Sequence, residues 1–325
     1  MANKAAAVKV KGAKSLERTG FQKFMLDFSR NWQLHLMILI PFVYLFIFHY
    51  FPMTGLQMGF RNFTPRASIA NSEWIGLGNF VNFFENNYRS VELILNTLVL
   101  SLYTIAVGFP IPIVLALVIH VNTIKPLKKI SQNVSYIPHF ISVVIMIGIL
   151  RSVLDPYSGI LGSISRHFGI DYFPDLWSSE TAFRHLYVWS GVWQSMGWSS
   201  IIYVSALAAV PDDLHEAAKL DGASRLRRVW SVDLPTILPT IAIMLIMRFG
   251  SIMSVGYQKA YLMQNNANKR VSEIISTYVY KEGLQGLKFG YSTAVGLMNS
   301  VVNTSMVVLV NWITNLLTDN EMGLF

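Results

Sequence analysis

The chain of 325 residues has no cysteine. This excludes a disulfide framework, a thiolate metal site and a cysteine nucleophile, and leaves the redox compartment unread. Charge is scarce too. Asp, Glu, Lys and Arg together make 14% of the residues against 53% apolar, and the mean hydropathy is positive. Such a profile belongs to a protein whose solvent is largely lipid and excludes an ordinary soluble domain. No Gly-x-x-x-x-Gly-Lys-Ser/Thr phosphate loop occurs, so ATP has no such loop to bind on this chain.

The long apolar runs contain no internal carboxylate, and their histidines (His49, His120, His139, His185) sit near the ends. Neither a Glu-x-x-His nor a His-x-x-x-His pair occurs within a run. Proton-coupled carriers and membrane-embedded metalloenzymes need such groups, so both classes are disfavoured. An ion-gradient-driven secondary transporter using backbone carbonyls stays open as the alternative class.

What is present is six apolar stretches, each able to cross a hydrocarbon core that takes about 20 helical residues. They lie near 34-53, 93-120, 132-154, 184-209, 236-258 and 291-316. The expected fold is therefore all-α, with residues 31-325 as the membrane domain behind a basic segment, 1-30. The net charge of +8 is no nucleic-acid signal, because seven of the 26 Lys and Arg residues (Lys4, Lys9, Lys11, Lys14, Arg18, Lys23, Arg30) precede the first run. They place the N-terminus in the cytoplasm, ahead of an uncleaved first span. The basic loops at Lys125-Lys129 and Lys219-Arg228 then fall on the same side. The segment between the fifth and sixth runs dissents: Lys259, Lys269, Arg270, Lys281 and Lys288 outnumber Glu273 and Glu282 on the expected outer face.

Aromatic residues crowd both outer segments, Trp74 to Tyr88 and Tyr157 to Trp177, as interfacial belts do. The stretch from Pro211 to Pro239 is more specific. Pro211 suits a helix start, Asp212, Asp213 and Glu216 complement its dipole, and Asp221-Gly222 breaks the chain, so a short helix is expected over Asp212 to Leu220. Ser224 can cap a second helix bearing Arg225, Arg227 and Arg228, expected to stop before Pro235. A loop of more than twenty residues where about four would connect two spans points to a binding role.

Glu216-Ala217-Ala218, Asp221-Gly222-Ala223, Val232-x-Leu234-Pro235 and Pro239 resemble, in order and spacing, the signature of the membrane subunits of type I ABC importers. Val229 or Trp230 stands where a Phe is usual. The resemblance implies that Asp212 to Leu220 is a coupling helix in a groove of a cytoplasmic ATPase. Glu216 would pair with a basic ATPase residue, Ala217 and Ala218 would pack, and Gly222 would permit the turn.

The whole chain looks closest to the carbohydrate branch, through Asn96-Thr97, Pro138-His139-Phe140, Thr277 to Gly283 and Tyr291 to Leu297. The partners implied are a second, related permease, two separate ATPases that bind ATP and Mg, an extracytoplasmic binding protein and a saccharide. The location implied is the bacterial inner membrane, with no nucleic acid and no cofactor held by this chain.

Trp189, Trp193 and Gln194, together with Asn299 and Asn303, are groups that could line a sugar path or serve packing between helices. Arg248 is the one clear charge inside a run and must face a polar interior or a partner. With Lys269 and Arg270 it points to an anionic saccharide.

Overall fold

The computed structural model describes residues 28–170, 172–318 and 323; the basic leader from Lys4 to Lys23 lies outside them. Of the described residues, those up to Gly55 form one compact unit and those from Leu56 onward another. Helix α1 (Trp32–Leu45) of the first continues through a π turn (Phe46–Tyr50) into 3-10 turns (Phe51–Phe60) that cross the boundary at Gly55. It holds no buried residue, and its large side chains, among them Leu36, Ile38, Ile40 and Phe42, stand exposed on a helix apolar enough to cross a membrane.

The second unit is a helical bundle. Its principal members are α2 (Ser90–Gly108), α3 (Pro110–Val121), α4 (Lys125–Tyr136), α5 (Val143–Leu154), α6 (Glu180–Ala208), α7 (Asp212–Leu220), α8 (Arg225–Arg228), α9 (Leu234–Phe249), α10 (Tyr257–Met263) and α11 (Phe289–Leu317). Among the described residues there is no strand, only an isolated bridge between Arg61 and Trp74.

Among the described residues four helices have the length and apolarity to cross a membrane: Trp32–Phe60, Ser90–Val121, Arg225–Phe249 and Phe289–Leu316. Pro110 sits at the first position of α3, where its missing N–H costs nothing, so α2 and α3 run on as one span.

Three of the six expected runs differ from simple spans. The third is a pair of helices, Lys125–Phe140 and Val143–Leu154, bent by 99°. Pro138 ends the first of these in a 3-10 turn, and Ser142 caps the second through the Ile145 amide. The fourth, α6, has 29 residues but less apolarity, with Trp, Ser, Gly and Gln in place of aliphatic groups. It sits centrally, packing on α2, α3, α4, α9 and α10, and a helix shielded by protein needs no greasy surface. The fifth run was expected to 258, yet α9 ends at Phe249 and residues 250–256 form irregular turns.

Close approach between helices depends on small residues. A Cβ on Gly197 of α6 would overlap the Ser135 carbonyl of α4. One core cluster joins Leu100, Met146, Phe183 and Val188 to Ala260 and Ile274, and another joins Ile113, Ala116, Tyr203, Leu207 and Ile237 toward the α7 end.

Candidate functional site

The loop after α6 is built as its sequence dictates. Asp212 and Asp213 occupy the first turn of α7, and Lys219 the last, in keeping with the helix dipole. Gly222 closes the helix with φ at +76°. The Ala223 amide bonds to the Ala218 carbonyl (2.9 Å) and the Gly222 amide to that of Lys219 (3.0 Å), the pattern of a Schellman turn. Ser224 then accepts the Arg227 amide and caps α8, as expected.

Glu216, Ala217, Asp221 and Gly222 are exposed, Ala218 and Ala223 half-buried. Beside them Leu220 (90%), Leu226 (69%) and Trp230 (65%) are bare apolar groups on a polar loop.

The second helix does not stop before Pro235. From α8 it passes through a π turn (Val229–Asp233) straight into α9, so Leu234 is half-buried and Pro235 exposed on one continuous helix, Arg225–Phe249. The wider π turn takes up the ring and the missing donor of Pro235, which an unbroken α-helix would not. As a result a carboxylate, Asp233, lies buried inside the fifth span, where none was expected.

The proposed path residues separate into two groups. Gln194 donates to the Ile141 carbonyl at 2.7 Å. Asn299 donates to the Met253 carbonyl (3.0 Å), while Asn303 accepts the Met253 amide (2.8 Å) and donates to Ser254 (2.8 Å). All three amides thus serve backbone at a helix break, the bend after α4 and the turns after α9. Irregular backbone within a bundle must be satisfied in this way.

Trp189 and Trp193 remain about half exposed, the indole N–H of Trp189 donating to Tyr103, whose hydroxyl also meets His185. Arg248 is exposed and lines a cavity of about 210 Å³ with Phe109, Pro112, Trp198 and Tyr203. Trp198, against which His139 stacks at 4.5 Å, was missed from sequence because no spacing ties it to Arg248.

Residues 75–318, three quarters of the chain, match the family of binding-protein-dependent transport system inner membrane components. The chain belongs to this family. The permease is 38% identical over 290 residues to the polygalacturonan/rhamnogalacturonan transport system permease protein YteP of Bacillus subtilis (strain 168), covering 89% of this chain and 90% of that one. It is 34% identical over 302 residues to Protein LplB of the same organism, covering 93% and 94%. A solved bacterial alginate ABC transporter, in complex with an alginate pentasaccharide-bound periplasmic protein, has a chain that superposes with TM-score 0.84 at 34% identity, covering 93% of the permease and 100% of that chain. The permease is thus a multi-pass inner-membrane transport protein.

At the end of the permease opposite α7, a cavity of about 630 Å³ is lined by Arg61, Arg89, Lys269, Lys281 and Lys288 against Glu273 and Glu282, with Asn79, Asn82, Asn86 and Asn87. Two of the five cations that contradicted the topology rule, Lys281 and Lys288, are paired with carboxylates here. Buried Glu273 binds both Arg89 and Lys281, the latter at 2.8 Å, and Glu282 binds Lys288 at 2.7 Å. Lys259 is buried on the Tyr187 carbonyl, and Arg270 meets Glu180 at 3.4 Å. Asn96 and Thr97 anchor the same region, Asn96 through the carbonyls of Arg270 and Glu273 and Thr97 through the Ile275 amide.

Proposed function

We propose that the permease, paired with a second and related permease, forms the path by which an acidic oligosaccharide enters the cell. An extracytoplasmic binding protein delivers the sugar to the end carrying the Arg61–Lys288 cavity. Two separate ATPases, holding ATP and Mg, seat α7 at the other end, with the N-terminus on the same cytoplasmic side. Glu216, Ala217, Ala218, Asp221, Gly222 and Ala223 make the ATPase contact, and Leu234 with Pro235 passes its movement into α9.

The observation that carries this reading is the bare face of the α7 loop. Leu220, Leu226 and Trp230 stand exposed beside Glu216, apolar surface that a connector has no reason to keep and that a partner would cover. Five cationic side chains against two acidic ones around the opposite cavity favour an anionic solute or its carrier. The relatives point the same way, since YteP is named for polygalacturonan and rhamnogalacturonan and a second solved neighbour, at TM-score 0.83 and 35% identity, for import of the acidic polysaccharide alginate. Trp189, Trp193 and Arg248 are the side chains free to meet sugar. Gln194, Asn299 and Asn303 each hold backbone, while Oδ1 of Asn299 has no partner among the described residues.

The test is ATP hydrolysis by the complex reconstituted in lipid with its ATPases, comparing the wild type with Glu216→Ala and Gly222→Val, with and without binding protein and acidic or neutral oligosaccharides. Loss of ATPase association or of stimulated hydrolysis in both variants, and stimulation by acidic sugars, is expected. Wild-type behaviour of both variants, or transport by the permease alone under an ion gradient, overturns the reading.

A further inference from the structure

Three residues far apart in sequence meet where α3 ends, α7 lies and α9 is entered. Nε2 of His215 lies 3.2 Å from Oδ1 of Asp233, and Nε2 of His120 lies 3.5 Å from the same oxygen. The three atoms fall within 4.8 Å of one another, and among the described residues no other group of three His, Cys, Asp or Glu is arranged to hold a metal ion. Asp233 is 2% exposed, His215 16% and His120 23%.

The contacts are not hydrogen bonds. Both Nε2 of His215 and Oδ1 of Asp233 are buried and lack a hydrogen-bond partner. Leaving a buried carboxylate oxygen and a ring nitrogen bare, 3.2 Å apart, is costly unless something sits between them.

We infer that His120, His215 and Asp233 form a site for a divalent transition-metal ion of the zinc class, which clips α7 to the end of α3 and to the root of α9. Two ligands about 2.0–2.1 Å from a tetrahedral zinc stand roughly 3.3 Å apart, close to both separations found here. Two imidazoles and one carboxylate suit zinc, cobalt or nickel rather than magnesium or calcium, which want oxygen. The fourth position opens on a cavity of about 490 Å³ lined also by Asp212, Lys219, Arg225 and Arg228. Those three cations oppose any divalent ion held by field alone, so the site works by direct coordination. They also favour water-derived hydroxide or another anion as fourth ligand. Because His215 is the residue next to Glu216, an occupied site fixes α7 from beneath while its outer face stays free.

The experiment uses the full permease in its complex, purified on a tag without histidine, stripped with chelator, loaded with zinc or cobalt chloride and desalted. Metal per permease is then read by mass spectrometry. About one ion per wild-type chain is expected, with loss of that ion in His215→Ala and in the isosteric Asp233→Asn, and a tetrahedral visible spectrum for cobalt. Equal metal in the wild type and the His120→Ala/His215→Ala double variant overturns the proposal. If the variants fail to assemble, X-ray absorption at the zinc edge of the loaded wild type decides: two imidazoles and a carboxylate oxygen sustain it, and any other shell overturns it. No readout depends on transport, so the site stands or falls apart from the importer reading.

Discussion

The side-chain amide of Gln194 in the middle of α6 donates to the carbonyl of Ile141 at 2.7 Å, at the 99° bend between α4 and α5. It replaces the helical partner which that carbonyl has lost. Gln194→Leu should therefore lower the stability of the complex by about 1–3 kcal/mol, the cost of a buried carbonyl left unpaired. Thermal unfolding in detergent checks this. An unchanged melting temperature with loss of transport would instead assign Gln194 to the solute.

Gly222 stands at φ +76° with open space where a side chain would go, so the constraint there is backbone conformation alone. Asn, which tolerates the left-handed region, should keep ATPase association near wild type. Val, which does not, should lose it, because α7 can no longer close on its Schellman turn. Co-purification of the ATPase with Gly222→Asn and Gly222→Val reads the difference.

Gly197 and Gly296 form a matched pair. A Cβ at Gly197 collides with the backbone of Ser135, whereas one at Gly296 meets nothing within 4 Å. Gly197→Ala is expected to cost about 1–3 kcal/mol or more by prying α4 from α6, and Gly296→Ala to leave the melting temperature equal or higher.

Lys259 lies between the fifth and sixth spans, 8% exposed, with its ammonium on the Tyr187 carbonyl at 2.6 Å and 4.6 Å from the Tyr187 ring centre. Burial pushes its pKa down from 10.5 to about 7. Between pH 7 and 10.5 the unfolded chain binds the proton that the folded chain has released, so stability contributed here rises with pH across that window and is flat below it. Melting temperatures from pH 7 to 10 should climb in the wild type relative to Lys259→Met, which fills the site without a charge.

The α7 loop was legible because its signals are local. A proline, a run of acids, a glycine and a capping serine each act on neighbours within one or two turns, and both short helices begin where those residues place them. What failed was the expected stop before Pro235. The rule that proline ends a helix assumes α geometry, and the π turn at Val229–Asp233 escapes it. Gln194, Asn299 and Asn303 fit either a sugar path or bonding between helices from sequence alone, because a polar amide in an apolar run needs a polar partner of one kind or the other. Sequence does not reveal that the partner is backbone at a break in another helix.

Which cations of the basic outer segment are already paired was not legible for a related reason. Arg89 and Glu273 are 184 positions apart, and nothing in linear order pairs them.

By itself the sequence determined that this protein lives in lipid, that it crosses in helices, and that one long loop folds into two short helices joined at a glycine. Apolar run length, the placing of Lys and Arg, and turn chemistry are properties of contiguous residues, and bilayer and backbone act on them directly. Only the tertiary structure decided which helix is central, where the third and fifth spans break, which cations are already paired, and that His120, His215 and Asp233 face one another. Those depend on which surfaces meet when helices pack, and in a bundle whose interior and lipid face are both apolar the pattern of one strip of sequence does not say which neighbour it will have.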